Sequence, residues 1–461
     1  MTNTQDASYE DIARKVIAED SRYVSAMTAM GERREITVSE DICAHDGRIL
    51  VAKGCVVTSE LREWLLDHKL LRPIDCCLDV AEAVSADSLA RDAARLIDEN
   101  AFLGQLAYQS GDPLAMRHGM ARLALPRRLI FKLTVAQEQR PELFRHLLMV
   151  ALISHYLAIR AGLDEQDTTR LLAAALLHDV GELHTDPALL DPRRQLCEHE
   201  WRHICVHPIT GYLIAREAGG LGEPVLAGIL QHHERIDGSG YPYGLRDKLV
   251  CQFARIIGLA DVGAAILTRF GSVARLDAVV RLNQGRYDRQ LLSFLQGGLR
   301  RSTAEPAPAP ICRVTRAQLD TAMYLLQGWG ELYAALCDSD GNPPPPELAF
   351  LLERMLSVRS MLLQFGFDPD SIEGLLELAA EDPLIAAELS TALDEMNWQF
   401  RDLAREIEFR WDLMLRGLSE TQGERLERWR SHLAELAALP VPACSWAMTG
   451  MKGKTVHIAC K

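Results

Sequence analysis

The run His232-His233-Glu234-Arg235-Ile236-Asp237-Gly238-Ser239-Gly240-Tyr241-Pro242 sets two adjacent imidazoles ahead of an acid and a glycine-rich turn. Side chains of these types hold metal ions. Three further stations lie along the chain: His178-Asp179 after the apolar run Leu171 to Leu177, His207, and Asp261 after the run Arg255 to Ala260. Imidazole and carboxylate donors suit iron, manganese or zinc, and one carboxylate can bridge two ions while histidines complete each shell. Glu142 and His146, spaced i and i+4 on a predicted helix, put a carboxylate and an imidazole on one face, one turn apart. Alone, such a pair is more often a surface contact than a ligand set; beside the other stations it reads as part of the site. His178 and Asp179 close a buried-looking apolar helix, where both would be costly without a partner, and a metal ion compensates both.

Helices must carry these ligands. Leu89, Ala93, Leu96 and Ile97 open one helical stripe and Leu147 through Leu157 another, so the chain from Ser85 through the metal cluster reads as α. Arg34 to Val80 differs: Ile36, Val38 and Ile42 precede the turn His45-Asp46-Gly47, followed by Ile49-Leu50-Val51 and Cys55-Val56-Val57, a small β-rich unit. Thr58 and Ser59 then cap a predicted helix through Leu70, which Pro73 stops. His45-Asp46 repeats the dipeptide of 178 and 179, but ahead of glycine it reads as turn chemistry. Thr303 to Pro310 is a semi-rigid Pro/Ala spacer and the clearest boundary. Beyond it, Arg316 to Leu439 is helical, broken at Asp338 to Pro346 and Gly366 to Pro369, and predicts a small bundle with a structural or interaction role. The expected division is 1–84, a small mixed unit; 85–126, a helical connector; 127–300, the metal-bearing domain; 301–312, the linker; 313–440, the C-terminal helical module; and 441–461, a tail.

A chain of 461 residues with formal charge −14 is too long for one compact core and too acidic for non-specific binding to DNA or anionic membrane. A phosphate-bearing substrate must therefore be held locally. The eleven cysteines include no CxxC pair, and their odd number fits a reducing compartment. Met1 to Glu10 is polar, and no run approaches the roughly 18 apolar residues of a membrane span. The expectation is a cytoplasmic protein.

The motifs together resemble the HD-GYP domains, bacterial metal-dependent phosphodiesterases that hydrolyse cyclic di-GMP. The resemblance covers about Arg127 to Phe270 and rests on His178-Asp179-Val180-Gly181, His207-Pro208-Ile209-Thr210-Gly211, His232-His233-Glu234 with Asp237-Gly238-Ser239-Gly240-Tyr241-Pro242, and Ala254-Arg255-Ile256 leading to Ala260-Asp261. It implies an HD-type all-helical catalytic core within a mainly α chain. It also implies that His178, Asp179 and Asp261 bind one ion, that Asp179 bridges to a second held by His207, His232 and His233, and that Glu142 with His146 matches the positions of a third. Two or three divalent ions, iron or manganese, would activate a water, orient the phosphodiester and stabilise in-line displacement. Gly238, Gly240, Tyr241 and Pro242 would line the substrate cleft, with His178, Asp179 and the residue at 182 closest to the chemistry.

Three departures bear on activity. Family members usually carry lysine where this chain has Glu182, in a run that holds the scissile phosphate; Arg193 is a candidate partner for that acid. After Asp261, Ala264 replaces a second acid, and Thr268-Arg269-Phe270-Gly271 stands in place of an arginine-rich segment. The favoured function is therefore cyclic di-GMP hydrolysis. The alternatives are a weak or inactive metal-binding signalling adaptor that meets other proteins through its outer modules, and a hydrolase of another nucleotide phosphoester. His199-Glu200-Trp201-Arg202-His203 matches the zinc-protease pattern HExxH, but His207 continues its stripe into the other constellation, so it reads as a decoy. His155 and His184 read as structural.

Overall fold

The apolar run Leu147 to Leu157 forms the middle of a 20-residue helix, Pro141–Arg160, opened by a proline at a position where no intrahelical N–H bond is lost. In a computed structural model of the chain, which describes residues 9–18, 21–112, 114–190, 198–300, 316–337, 345–364, 381–416 and 418–438, this helix is the axis of the core. Contrary to the reading of the sequence, it is long and apolar enough to cross a membrane. Its most apolar window, however, is 78% buried inside the protein, and it packs against Glu165–Leu177 and Gln252–Phe270. Asp164 caps Glu165–Leu177 by accepting from the Asp167 amide, and Gly271, at φ 59°, closes Gln252–Phe270 in the left-handed conformation that favours glycine.

The fold is mainly α, as expected. One contiguous apolar core extends from Tyr23 to Leu299, so the N-terminal unit and the helices Ala86–Glu99, Ala101–Gln109 and Ala115–Ala121 pack with the metal-bearing helices. Within the N-terminal unit, Ile36–Val38 pairs antiparallel with Leu78–Val80, and Ile42–Cys43 with Ile49–Val51. His45-Asp46-Gly47 is a turn in which Asp46 accepts from the Arg48 amide at 3.1 Å and Gly47 takes φ 85°.

The segment Cys55 to Leu71 differs from the expected strand and helix. The helix runs only from Leu61 to Leu66, with Glu60 at its cap position, and does not reach Leu70. The chain after it is drawn into extended pairing instead: the His45 amide donates to the Lys69 carbonyl at 2.8 Å and the Leu71 amide to the Cys43 carbonyl at 2.9 Å. Cys55 to Val57 is not a strand but an isolated bridge against Thr37.

Arg316–Leu336, Ala349–Gln364, Pro383–Met414 and Glu420–Ala438 share a second apolar core, the small bundle expected of the C-terminal module. The proposed linker 301–312, the tail 441–461, the break at 366–369 and most of the break at 338–346 lie outside the described residues.

His155 lies in the main core, 3% exposed, and burial pushes its pKa from 6.5 down to about 4. Between these values the unfolded chain binds a proton that the folded chain refuses, so stability should fall as pH drops from 6.5 to 4 and level off below. The expected loss is about 3 kcal/mol. Denaturant unfolding at pH 7, 5.5 and 4.5 should show this slope, and His155→Leu should flatten it; an identical slope in the variant would assign it to other groups.

Candidate metal centre

Helix ends deliver most of the ligands. His178 caps the C-terminus of Glu165–Leu177, Asp179 leads into the 3-10 turn Val180–His184, His207 opens the helix His207–Ala218, and His232 caps Glu223–Gln231. His146 and Asp261 come from within Pro141–Arg160 and Gln252–Phe270. Three of the imidazoles are oriented alike: the Nδ1 atoms of His178, His207 and His232 each lie 2.7 Å from the carbonyl three residues earlier, at Ala175, Ile204 and Ile229. Donating Nδ1–H to a carbonyl leaves the Nε2 lone pair to point inward.

Those lone pairs converge on Asp179. Its Oδ1 is 3.1 Å from His207 Nε2 and 3.2 Å from His232 Nε2, while its Oδ2 is 3.1 Å from His178 Nε2 and 3.8 Å from His146 Nε2. The donors fall into two groups whose ligand atoms lie within 4.8 Å of one another: Asp179, His207, His232 and His233, and then His146, His178 and Asp179. Asp179 belongs to both. Asp261 joins through His146, at 3.1 Å, and its Oδ2 lies 3.9 Å from His233 Nδ1. Glu142 is exposed and belongs to neither group.

This donor set fits divalent metal ions. A metal–ligand bond of about 2.1 Å leaves neighbouring donor atoms roughly 3.0–3.4 Å apart, the spacing found around Asp179. His178 Nε2, Asp179 Oδ1 and Asp261 Oδ2 are buried and make no hydrogen bond, a cost that an ion would offset. Burial opposes charge on His178, yet Asp179 beside it overrides burial and raises its pKa to about 9, whereas burial pushes His232 down to about 4.

Glu182 faces this cluster. It is buried, and burial followed by the charge of Asp179 raises its pKa. Its partner is Arg140, with Nη2 3.6 Å from the carboxylate and Nη1 donating to the Glu182 carbonyl at 3.3 Å. Arg193 lies outside the described residues.

The glycine turn is built as much for packing as for a ligand. A Cβ on Gly240 would stand 2.4 Å from backbone atoms of His233, Glu234 and Arg235, so only glycine lets the turn fold back on the ligand pair. Gly238 takes φ 80°, Tyr241 stacks on His233 at 4.6 Å with its hydroxyl buried and unpartnered, and Pro242 follows it. Arg286 donates to Ser239 at 3.1 Å and braces the turn. Gly181 makes the other tight contact, where a Cβ would lie 2.1 Å from the His207 carbonyl. Gly181→Ala should push the turn 180–184 off the helix His207–Ala218, costing about 1–3 kcal/mol and loosening the ion shared by Asp179 and His207. Thermal melting with metal analysis checks this; an unshifted melt with full metal content would show a more yielding contact.

His155 and His184 are buried outside both ligand groups, with His184 stacked on Tyr23 at 4.7 Å and 3.0 Å from Lys132 Nζ. His203, on the helix Glu198–Cys205, is in neither group, and the side chain of His199 is not described. Ala264 is fully buried, and Arg269 lies over Phe270. Arg140, Trp201, Arg286 and Arg405 were not singled out by sequence reasoning. No local motif marks them, because they reach the site from other elements.

The sequence profile of the HD domain matches residues 143–266. This segment is an HD domain. The chain is 28% identical over 156 residues to a cyclic di-GMP phosphodiesterase of Borreliella burgdorferi, covering 32% of this chain and 41% of that protein. It is 36% identical over 124 residues to a 3'3'-cGAMP-specific phosphodiesterase of Vibrio cholerae, covering 27% and 28%. A cyclic di-GMP phosphodiesterase response regulator of Xanthomonas campestris pv. campestris is 34% identical over 119 residues, covering 25% and 31%. The chain thus spans less than half the length of these curated relatives. Likeness of the HD domain to theirs agrees with the resemblance drawn from the motifs.

Proposed function

We propose that this protein is a metal-dependent phosphodiesterase acting on a cyclic dinucleotide, cyclic di-GMP first among candidates, with iron or manganese as the metal. The observation that carries this reading is Asp179, one carboxylate shared by two groups of inward-facing imidazoles. Bound there, two divalent ions would supply Lewis-acid charge for in-line displacement at phosphorus. The chain's own residues orient and enclose: the carbonyl-held imidazoles keep their rings fixed, Tyr241 walls the cleft against His233, and Arg140 partly offsets the charge of Glu182. Glu142 with His146 stays the candidate pair for a third ion.

Relatives that act on cyclic di-GMP or on 3'3'-cGAMP make both nucleotides part of the test. Protein purified without oxygen and reconstituted with Fe(II) or Mn(II) should convert one of them to linear product, followed by chromatography. The signal should be absent from Asp179→Ala. No product from folded, metal-loaded protein would overturn the phosphodiesterase reading. It would favour the signalling adaptor, a reading supported by the buried acid at 182 facing the cluster.

A further inference from the structure

The long helix Pro383–Met414 packs against Val273–Leu282 and Glu198–Cys205 of the metal-bearing part, and Asp394, Trp398, Asp402 and Arg405 lie on it at helical spacing. Asp394 accepts from Arg275 at 2.6 Å with both side chains buried, and Trp398 lies under the Arg286 guanidinium at 4.6 Å. Asp402 pairs with Arg354 and stands 4.0 Å from Arg286, the residue that braces Ser239 in the glycine turn. These contacts set the position of Arg405. Its guanidinium carbon sits 4.2 Å from the centre of the Trp201 ring, Trp201 meets Tyr241 edge-on at 6.1 Å, and Tyr241 stacks on His233.

Arg405 is half-buried and, among the described residues, has neither a hydrogen bond nor an ion pair. Asp402, the acid one turn before it, is engaged by Arg354. A partly desolvated cation whose neighbouring acid is bound to another arginine is costly, and burial holds the Arg405 pKa below its ordinary value although the charge of Asp402 acts the other way. The cluster itself is rich in carboxylates: Asp179, Asp261 and Glu182 all face it. A cyclic dinucleotide carries two phosphates, and only one can occupy the metal centre in a given turnover.

We infer that Arg405 holds the non-scissile phosphate of the cyclic dinucleotide, with Trp201 fixing the guanidinium, so that the C-terminal module completes the substrate site. This rests on the phosphodiesterase reading above. The planar fork of arginine suits both tasks, since it stacks on an aromatic ring and grips phosphate through paired N–H groups.

The test uses the full metal-reconstituted chain, Arg405→Gln and Arg405→Lys, with cyclic di-GMP and with bis(p-nitrophenyl) phosphate, a phosphodiester that has no second phosphate. Arg405→Gln should raise KM for cyclic di-GMP about 10- to 100-fold, the worth of a charge-assisted hydrogen bond, and by at least about fivefold more than it raises KM for the small diester. Arg405→Lys should fall between. Equal losses on the two substrates, or an unchanged KM for cyclic di-GMP, would overturn the role of Arg405 and leave the phosphodiesterase reading standing. If the parent protein hydrolyses neither substrate, that reading falls, and equilibrium binding of cyclic di-GMP to the calcium-loaded proteins decides Arg405 separately. There a Kd about tenfold or more weaker in Arg405→Gln supports the assignment, and equal binding or none refutes it. Should Arg405→Gln lose its cooperative melt, Arg405→Lys carries the comparison, because it keeps the charge and loses the fork.

Discussion

Asp179→Ala should leave protein that binds little metal after dialysis and hydrolyses cyclic dinucleotide more than about 1,000-fold more slowly, the scale of several kcal/mol of lost metal-centred stabilisation. The reason is geometric. One carboxylate lies 3.1–3.2 Å from the Nε2 atoms of His178, His207 and His232, and among the described residues it alone belongs to both ligand groups. Without it each group loses its shared donor. Asp261→Ala should be milder, because Asp261 approaches the cluster only through His146 and His233. Elemental analysis of the dialysed proteins, read beside the activity, distinguishes these outcomes. Full metal content in Asp179→Ala would falsify the shared-carboxylate arrangement.

Glu182→Lys is expected to raise kcat/KM about 10- to 100-fold. At roughly 6 Å and an effective dielectric near 20, reversing a charge beside a phosphate changes their interaction by about 5 kcal/mol before screening. Part of that gain is already realised, since Arg140 lies 3.6 Å from the carboxylate, so the observed gain should be smaller. Glu182→Gln should lie between the parent and the lysine variant. Metal content has to be measured in parallel because Glu182 sits three residues from Asp179. If metal content is unchanged and turnover drops in both variants, Glu182 takes part in the reaction rather than restraining it.

The ligand set was legible because metal chemistry is written locally. His178-Asp179, His207 and His232-His233 stand at helix ends, where apolar runs stop and the side chains turn inward, and both periodicity and residue type are visible in a short stretch. The helix expected to reach Leu70 failed for the opposite reason. Its last residues had helical neighbours in sequence, but Cys43 and His45, some 25 residues away in sequence, offered backbone partners in extended geometry. Long-range pairing overrode local preference.

By itself the sequence determined the mainly helical fold, the ligand types and the substitution of an acid at 182, because these depend on side-chain chemistry and short-range spacing. Tertiary structure alone decided that Glu142 remains at the surface and that Arg140 is the partner of Glu182. It also brought Arg405 to Trp201, across 204 positions of chain, through buried contacts such as Arg275 with Asp394. Such pairings depend on how helices pack, and packing joins residues whose distance along the chain carries no trace of their distance in space.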